Sequence, residues 1–230
     1  MDTPELLKIS HSRIDPFIFP IATKLYHSLR IPPSVRPELI LLSGHVIALC
    51  GAIAFWAAQL IYWYGLLATF FVLAYQFTDI LDGLHARSTS QCRNSGEFLD
   101  HFLDPLSFSY LLVGLSLYVN SLPLAVASVI CMFATATLIN VRAQITRQFT
   151  LPTFGATELR LSLAFIGVAL SVLSSFSGPI IAKVVIEILL WVLLAVGLGQ
   201  LIVQLIRTCR QIDALGIQPN TSPWEIRGKG

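Results

Sequence analysis

Four of the seven aspartates in this chain lie within 26 residues of one another, at Asp79, Asp82, Asp100 and Asp104. The first two are three residues apart and the last two are four apart, so each pair lies on one face of a helix. A short polar segment separates the pairs and predicts two antiparallel neighbouring helices, between which all four carboxylates can converge. Carboxylates embedded in apolar helices are rare and usually functional.

Four converging carboxylates cannot all remain ionised without a counter-charge. The side-chain cations close by in sequence are Arg87, Arg93, His85 and His101, too few for a purely structural salt-bridged cluster. Two divalent metal ions would balance the charge, as in two-metal sites whose ions lie about 3.5–4 Å apart. Ligands that are all oxygen favour Mg²⁺ or Mn²⁺.

The second acidic pair follows a helix-start pattern. Asn94 and Glu97 have the spacing of a capping box, and Gly96 permits close approach to the backbone. The N-terminus of this helix would point positive partial charge toward the acidic site and toward phosphate groups. Asp104 would lie about 15 Å along the helix. Pro105 removes a backbone hydrogen bond there and could kink the helix.

Composition defines the elements that must position these residues. The chain has 230 residues, of which 55% are apolar and only 12% are charged. This balance excludes a disordered chain, a nucleic-acid-binding protein and an ordinary soluble enzyme. Six apolar stretches are long enough to span a membrane. They lie at about 38–57, 60–79, 98–119, 123–141, 160–176 and 184–206.

Basic residues are concentrated on one side of these six stretches, and the loops on the other side carry only Lys183. The basic residues on the first side precede span one, lie between spans two and three and between spans four and five, and follow span six: Lys24, Arg30, Arg36, Arg87, Arg93, Arg142, Arg147, Arg160, Arg207, Arg210, Arg227 and Lys229. The positive-inside rule then puts both termini and the aspartate cluster on the cytoplasmic side. In a bacterium this would be the inner membrane.

Three regions follow from this pattern: a cytoplasmic segment at 1–36, a six-helix catalytic domain at 37–206 and a cytoplasmic tail at 207–230. Within the first region, apolar residues recur at helical spacing at Ile14, Phe17, Ile18, Ile21, Leu25 and Leu29. They predict an amphipathic helix in the membrane interface, with a helix packed against the bundle as the alternative. The fold class is therefore an all-α polytopic membrane protein with six spans and a preceding interfacial helix.

The acidic segment resembles the signature of the CDP-alcohol phosphotransferase family. Its fixed positions are Asp79, Asp82, Gly83, Ala86, Arg87, Gly96, Asp100 and Asp104, and every spacing between them matches. The resemblance implies a reaction of phospholipid synthesis, in which a second alcohol attacks the β-phosphorus of a CDP-linked alcohol and CMP leaves. It also implies CDP-alcohol and lipid substrates within a membrane, and homodimers are common in the family.

The resemblance also implies roles for the residues. Asp79, Asp82 and Asp100 would hold two metal ions, and Asp104 would be the general base, with a possible metal contact of its own. Asp100 and Asp104 are thus the expected catalytic pair. The nucleotide and its pyrophosphate would lie against Gly83, Ala86, Arg87 and Gly96, where small residues allow close approach and a guanidinium suits phosphate.

The start of span one departs from the family pattern. Family members often carry a Pro-Asn/Asp-x-x-Thr-like stretch here, whereas this chain has Pro37, Glu38 and Leu41. The threonine is missing. This departure favours helix capping as the role of Glu38, with nucleotide binding at the family position as the alternative.

Two branches of chemistry share the signature. One uses CDP-choline or CDP-ethanolamine with diacylglycerol, and the Gly-Glu-x-x-Asp-His pattern that ends at His101 resembles this branch. The stretch from Gly155 to Glu158 resembles its Gly-Pro-Thr-Glu segment, with Ala156 in place of proline. Glu158 could face the amine of the headgroup, or it could cap the following helix.

The other branch uses CDP-diacylglycerol with a soluble acceptor such as glycerol 3-phosphate, inositol phosphate or serine. Arg142, Arg147 and Arg160 fall in one predicted loop and could bind an acceptor phosphate there. The alternative is that they reflect positive-inside topology and contact lipid headgroups. We favour the choline and ethanolamine branch. A six-helix transporter or an inactive scaffold remains an alternative of another class, but the ionisable groups cluster at one end and no motif aspartate is altered.

Overall fold

The computed structural model describes residues 7–216, and over this range the chain forms seven helices and one pair of short strands. The helices are α1 (Asp15–Leu29), α2 (Pro37–Ala57), α3 (Tyr64–Ser88), α4 (Asn94–Tyr118), α5 (Leu122–Thr146), α6 (Ala156–Ser177) and α7 (Pro179–Ala214). The strands are β1 (Leu7–Ser10) and β2 (Gln148–Leu151). The protein is therefore an all-α polytopic membrane protein, as the sequence predicts.

Each of the six expected spans corresponds to one helix, α2 to α7. Among the described residues, five of these helices, all except α4, are long and apolar enough to cross a membrane. Helix α4 differs because its first three turns carry Glu97, Asp100 and Asp104. The count of six spans therefore remains a prediction, and α4 is the helix on which it depends.

The two helices that carry the acidic motif differ in detail from expectation. Helix α3 continues to Ser88, so Asp79 and Asp82 lie inside the helix and not at its end. The predicted capping box is wrong, because Asn94 is already the first helical residue and α4 has no side-chain cap hydrogen bond within the described chain. Helix α4 runs through Pro105 as one helix.

Small residues bring α2, α3 and α4 close together. A methyl group at Gly114 in α4 would collide with the backbone carbonyl of Ala52 in α2. Close approach through small residues is a general means of packing helices in membranes. The buried core around this contact includes Phe55, Leu111 and Leu115. Helix α2 packs against both α3 and α4, and this shared packing holds the two helices close enough for their carboxylates to meet.

The N-terminal region is attached to the bundle. In α1, Tyr26 places its hydroxyl 3.0 Å from Nδ1 of the buried His85 in α3, and His85 Nε2 lies 2.9 Å from the carbonyl oxygen of Val35. Phe17 is 74% exposed on the outer side of α1. Helix α1 therefore packs on α3 along one side and presents apolar groups on the other, which leaves the predicted interfacial placement as a hypothesis.

The sequence did not predict the strands. β1 pairs in parallel with β2, with Leu7 opposite Gln148 and Ser10 opposite Leu151. Four-residue strands give a weak local signal, and their pairing joins segments about 140 residues apart. At the other end of the chain, α7 continues to Ala214, past the predicted tail boundary at residue 207. The rest of that tail, 217–230, lies outside the described residues, as do residues 1–6 of the N-terminal segment.

Candidate active site

The acidic side chains of α3 and α4 meet between the two helices, as their spacing predicts. Asp79, Asp100 and Asp104 each offer a carboxylate oxygen, and these oxygens lie within 4.8 Å of one another. Asp82 interacts electrostatically with all three, and its Oδ1 accepts a hydrogen bond from the backbone N–H of Gly83. An all-oxygen set of this kind fits a hard divalent cation. The cluster could therefore bind metal.

A buried arginine supplies part of the counter-charge. Arg160 in α6 is 1% exposed; its Nη1 lies 2.6 Å from Asp79 Oδ2 and its Nη2 lies 3.0 Å from Asp104 Oδ1. Among the described residues, the cation in contact with these two carboxylates is therefore Arg160. The sequence had suggested Arg87, Arg93, His85 and His101. Arg160 was expected in a loop beside Arg142 and Arg147, but α6 begins at Ala156 and carries Arg160 into the bundle.

Two further polar side chains that the sequence did not single out complete the cluster. The hydroxyl of Tyr75 donates a 2.6 Å hydrogen bond to Asp104 Oδ1. Gln76 is buried and accepts a hydrogen bond from Arg160 Nη1 at 3.3 Å. Both residues precede Asp79 by about one helical turn on α3, so they share its face. A signal was available, since a polar residue inside an apolar helix one turn from a carboxylate is a candidate partner.

The residues expected to contact the nucleotide form two small groups beside the aspartates. On α3, a methyl group at Gly83 would lie 3.3 Å from Nη1 of Arg87, so this glycine and the exposed guanidinium are adjacent. Ala86 precedes Arg87 on the same helix. Contact of these residues with a nucleotide stays a prediction.

The second group joins the starts of α2 and α4. Glu38 Oε1 lies 3.9 Å from Nη1 of Arg93, and a methyl group at Gly96 would also lie 3.9 Å from that oxygen. Glu38 Oε2 is buried and has no hydrogen-bond partner among the described residues. Within the described residues, no side chain makes a capping hydrogen bond at the start of α2, so Glu38 is not acting as its cap.

An apolar cavity of about 180 Å³ opens beside Asp104, between α4, α5, α6, α7 and the β2 segment. Its hydrocarbon lining includes Phe108, Leu112, Cys131, Met132, Ala136 and Leu194, and its polar groups include His101, Asn140 and Gln200. An engineered apolar cavity of about 150 Å³ admits benzene. This apolar cavity therefore has room for several carbons of a bound molecule.

His101 lines the apolar cavity. Its ring stacks on Phe149, with 4.5 Å between the ring centroids, and its Nε2 lies 3.8 Å from Glu97 Oε1. The same histidine borders a second, wider hollow that Arg147 also lines. The acceptor role predicted for His101 therefore stays a prediction.

The three arginines predicted to form one phosphate site lie in three different places. Arg142 Nη2 donates to Gln211 Oε1 at 2.9 Å, between α5 and α7. Arg147 ends α5 in a left-handed conformation and is exposed. Arg160 is held by the aspartates. The structure does not bring these side chains together, because α5 ends later and α6 begins earlier than expected.

Glu158 lies at the start of α6 with both carboxylate oxygens engaged. Its Oε2 accepts a 2.9 Å hydrogen bond from the backbone N–H of Gly155, and its Oε1 accepts one from the Ser12 hydroxyl at 2.5 Å. The side chain is 9% exposed. These contacts favour the capping alternative over a contact with the amine of a substrate headgroup.

Comparison with known proteins agrees with the geometry. The family model for CDP-alcohol phosphatidyltransferases matches residues 41–199. Phosphatidylinositol phosphate synthase of Mycolicibacterium smegmatis is 28% identical over 151 residues, which cover 63% of this chain and 66% of that protein. Cholinephosphotransferase 1 is 41% identical over 59 residues in Bos taurus and 41% identical over 56 residues in Homo sapiens.

The match to the two cholinephosphotransferases is short. It covers 26% of this chain for the bovine protein and 24% for the human one, and 14% of each of those proteins. The similarity therefore includes relatives from both branches of the chemistry. The matched family region contains the whole acidic motif and all six helices of the bundle at least in part. This chain belongs to the CDP-alcohol phosphatidyltransferase family.

Proposed function

We propose that this protein transfers a phospho-alcohol from CDP-choline or CDP-ethanolamine to diacylglycerol and releases CMP. The observation that carries the proposal is the position of Asp104, which belongs both to the group of aspartates that could bind metal and to the wall of the apolar cavity. A lipid alcohol with its first carbons in the apolar cavity would present its hydroxyl to this carboxylate. The remaining hydrocarbon would extend into the bilayer.

The chemistry assigns one task to each part of the site. Asp104 takes the proton from the acceptor hydroxyl, the hydroxyl oxygen attacks the β-phosphorus of the donor, and the bond from that phosphorus to the bridging oxygen of CMP breaks. Asp79, Asp82 and Asp100, with Asp104 as a further candidate ligand, would hold two Mg²⁺ or Mn²⁺ ions. When bound, these ions offset the charge that develops on the phosphate oxygens.

The donor nucleotide would lie across the two groups beside the aspartates. Arg87 is exposed and adjacent to Gly83, an arrangement that supports contact with the pyrophosphate. Glu38 has a buried oxygen without a partner among the described residues and lies next to Gly96. That oxygen could accept a hydrogen bond from the sugar or the base of the nucleotide. We place this site at the cytoplasmic side of the membrane.

A second function is favoured by a separate observation. The synthase from Mycolicibacterium smegmatis resembles this chain over more residues than the cholinephosphotransferases do. Arg147 lines the wider hollow next to His101 and could bind the phosphate of a soluble acceptor there. The alternative is therefore transfer from CDP-diacylglycerol to an acceptor such as inositol phosphate or glycerol 3-phosphate.

One assay separates the two functions. CMP release is measured with purified protein in detergent and Mg²⁺, first with CDP-choline or CDP-ethanolamine plus diacylglycerol, then with CDP-diacylglycerol plus soluble alcohols. We expect CMP and a lipid product in the first set, and no product from Asp104→Asn. Product in the second set alone would replace the proposal by the alternative. Oligomeric state, measured on the same sample, tests the expected homodimer.

A further inference from the structure

We propose that Arg160 is a positioning residue of this active site, a fixed internal cation that orients Asp79 and Asp104 and competes with metal ions for their negative charge. The proposal rests on the proposed function for its kinetic consequence only, because its effect on metal binding needs no substrate. It differs from the acceptor-phosphate role that the sequence suggested for this arginine.

The contacts of the guanidinium support a positioning role. Its two terminal nitrogens reach two different carboxylates on two different helices, Asp79 on α3 and Asp104 on α4. Arginine is suited to this because its planar fork presents several N–H groups in fixed directions. Through Arg160, helix α6 sets the distance between a metal-ligand candidate and the proposed base.

Aromatic rings hold the guanidinium where it is. Its central carbon lies 4.3 Å from the ring centroid of Tyr75 and 4.9 Å from that of Phe108. Cations over aromatic faces at such distances are attracted by the ring. With 1% of its side chain exposed, Arg160 cannot turn toward a soluble acceptor without breaking these contacts. It also lines neither of the two hollows beside His101 in the described chain.

The charge of Arg160 has a predictable effect on metal binding. A unit positive charge in direct contact with two carboxylates reduces the attraction of the cluster for a divalent cation. Removal of the charge should therefore strengthen metal binding. Loss of the guanidinium group should slow transfer, because Asp104 would lose one of the groups that hold it. A side chain that merely stabilises the fold would weaken both properties together.

Two substitutions separate the charge from the geometry. Arg160→Gln removes the charge, and Arg160→Lys keeps it but cannot reach both carboxylates in the same way. Arg207→Gln, which replaces an exposed arginine on α7, is the matched control. Mn²⁺ affinity is measured on each purified protein by electron paramagnetic resonance. The values of kcat and KM are measured by CMP release, and folding by thermal unfolding in detergent.

We expect Arg160→Gln to bind Mn²⁺ at least about tenfold more tightly than the natural protein. Its kcat should fall by about 10- to 100-fold, the loss typical when an outer partner of a metal ligand is removed. Arg160→Lys should keep Mn²⁺ affinity within about threefold while its kcat falls to a similar extent. The control should match the natural protein in both properties.

Weaker or unchanged Mn²⁺ binding in folded Arg160→Gln would overturn the proposal, and so would an unchanged kcat in Arg160→Lys. If these variants raise the KM of a phosphorylated acceptor and leave kcat unchanged, Arg160 contacts the acceptor phosphate and the proposal is wrong. If Arg160→Gln does not fold, Arg160→Lys decides the matter through kcat and Mn²⁺ affinity together. Tighter Mn²⁺ binding in a protein that turns over neither substrate set would contradict the proposed function and still support this role.

Discussion

The hydroxyl of Tyr75 and the carboxylate of Asp104 are joined by a 2.6 Å hydrogen bond between α3 and α4. The tyrosine donates to Oδ1, the same oxygen that Arg160 reaches. Both contacts are made to the same carboxylate oxygen, and for the proposed reaction we assign the other, Oδ2, to the acceptor proton or to a metal ion.

Tyr75→Phe removes only this hydrogen bond, because the ring can still pack against Phe108 and the guanidinium of Arg160. We expect kcat to fall by about tenfold, within the range for loss of a hydrogen bond to a charged group. The KM for CDP-choline should stay unchanged. Tyr110→Phe is the control, measured in the same CMP-release assay. Equal kcat values for the two variants would show that Tyr75 does not orient Asp104.

Substitution of the aspartates should separate the base from the metal ligands. Asp104→Asn should abolish transfer and leave the binding of CDP-alcohol and Mn²⁺ partly intact, because an amide cannot accept the proton. Asp100→Asn should lose both transfer and most Mn²⁺ affinity. Asp213→Asn, an exposed aspartate at the end of α7, is the control. Normal turnover in Asp104→Asn would remove this residue from the role of base.

Filling the apolar cavity should exclude a lipid acceptor. Ala136 lines the apolar cavity on α5, and Ala136→Phe would place a ring in it. We expect the KM for diacylglycerol to rise by about tenfold or more, as for a pocket contact worth about 1–3 kcal/mol. Hydrolysis or binding of the CDP-alcohol itself should not change.

Val126→Phe is the matched control for that experiment, since it adds the same ring at an exposed position of the same helix. Lipid kinetics are measured for both variants at several acyl-chain lengths. If Ala136→Phe and Val126→Phe have the same diacylglycerol KM, the apolar cavity is not the acceptor site.

The contact between Ser12 and Glu158 ties the N-terminal segment to α6. Asp15 makes a second tie, since its Oδ1 accepts a 2.7 Å hydrogen bond from the Thr157 hydroxyl. We expect Ser12→Ala to lower the free energy of unfolding by about 1–3 kcal/mol, the loss that follows when a charged acceptor is left unpaired. A double-mutant cycle with Glu158→Gln, read by thermal unfolding, should give a coupling of at least about 0.5 kcal/mol.

The same cycle tests the role of Glu158 in headgroup recognition. If this carboxylate caps α6, its loss should change stability and leave the preference for CDP-choline over CDP-ethanolamine unaltered. A change in donor preference without a change in thermal stability would instead support the headgroup contact that the sequence pattern suggested.

The sequence by itself determined the acidic motif and the class of fold. The i, i+3 and i, i+4 spacings put each aspartate pair on one helix face, and these spacings do not depend on the rest of the protein. The apolar stretches likewise predict the bundle, because each backbone polar group in a membrane must be satisfied within its own helix. The convergence of Asp79, Asp100 and Asp104 needs in addition that α3 and α4 come together, which the short segment between the two aspartate pairs predicts.

The tertiary structure decided which partners the carboxylates have. Arg160 is 56 residues from Asp104 in sequence, and only the packing of α6 against α3 brings it into the cluster. A difference of four residues in the start of α6, Ala156 in place of the expected 160, moves this arginine from a loop to the interior. Helix boundaries carry the weakest sequence signal, because capping and tertiary contacts decide them. The identity of the internal cation, the wall of the apolar cavity and the attachment of the N-terminal segment all depend on contacts between distant residues, which no local pattern encodes.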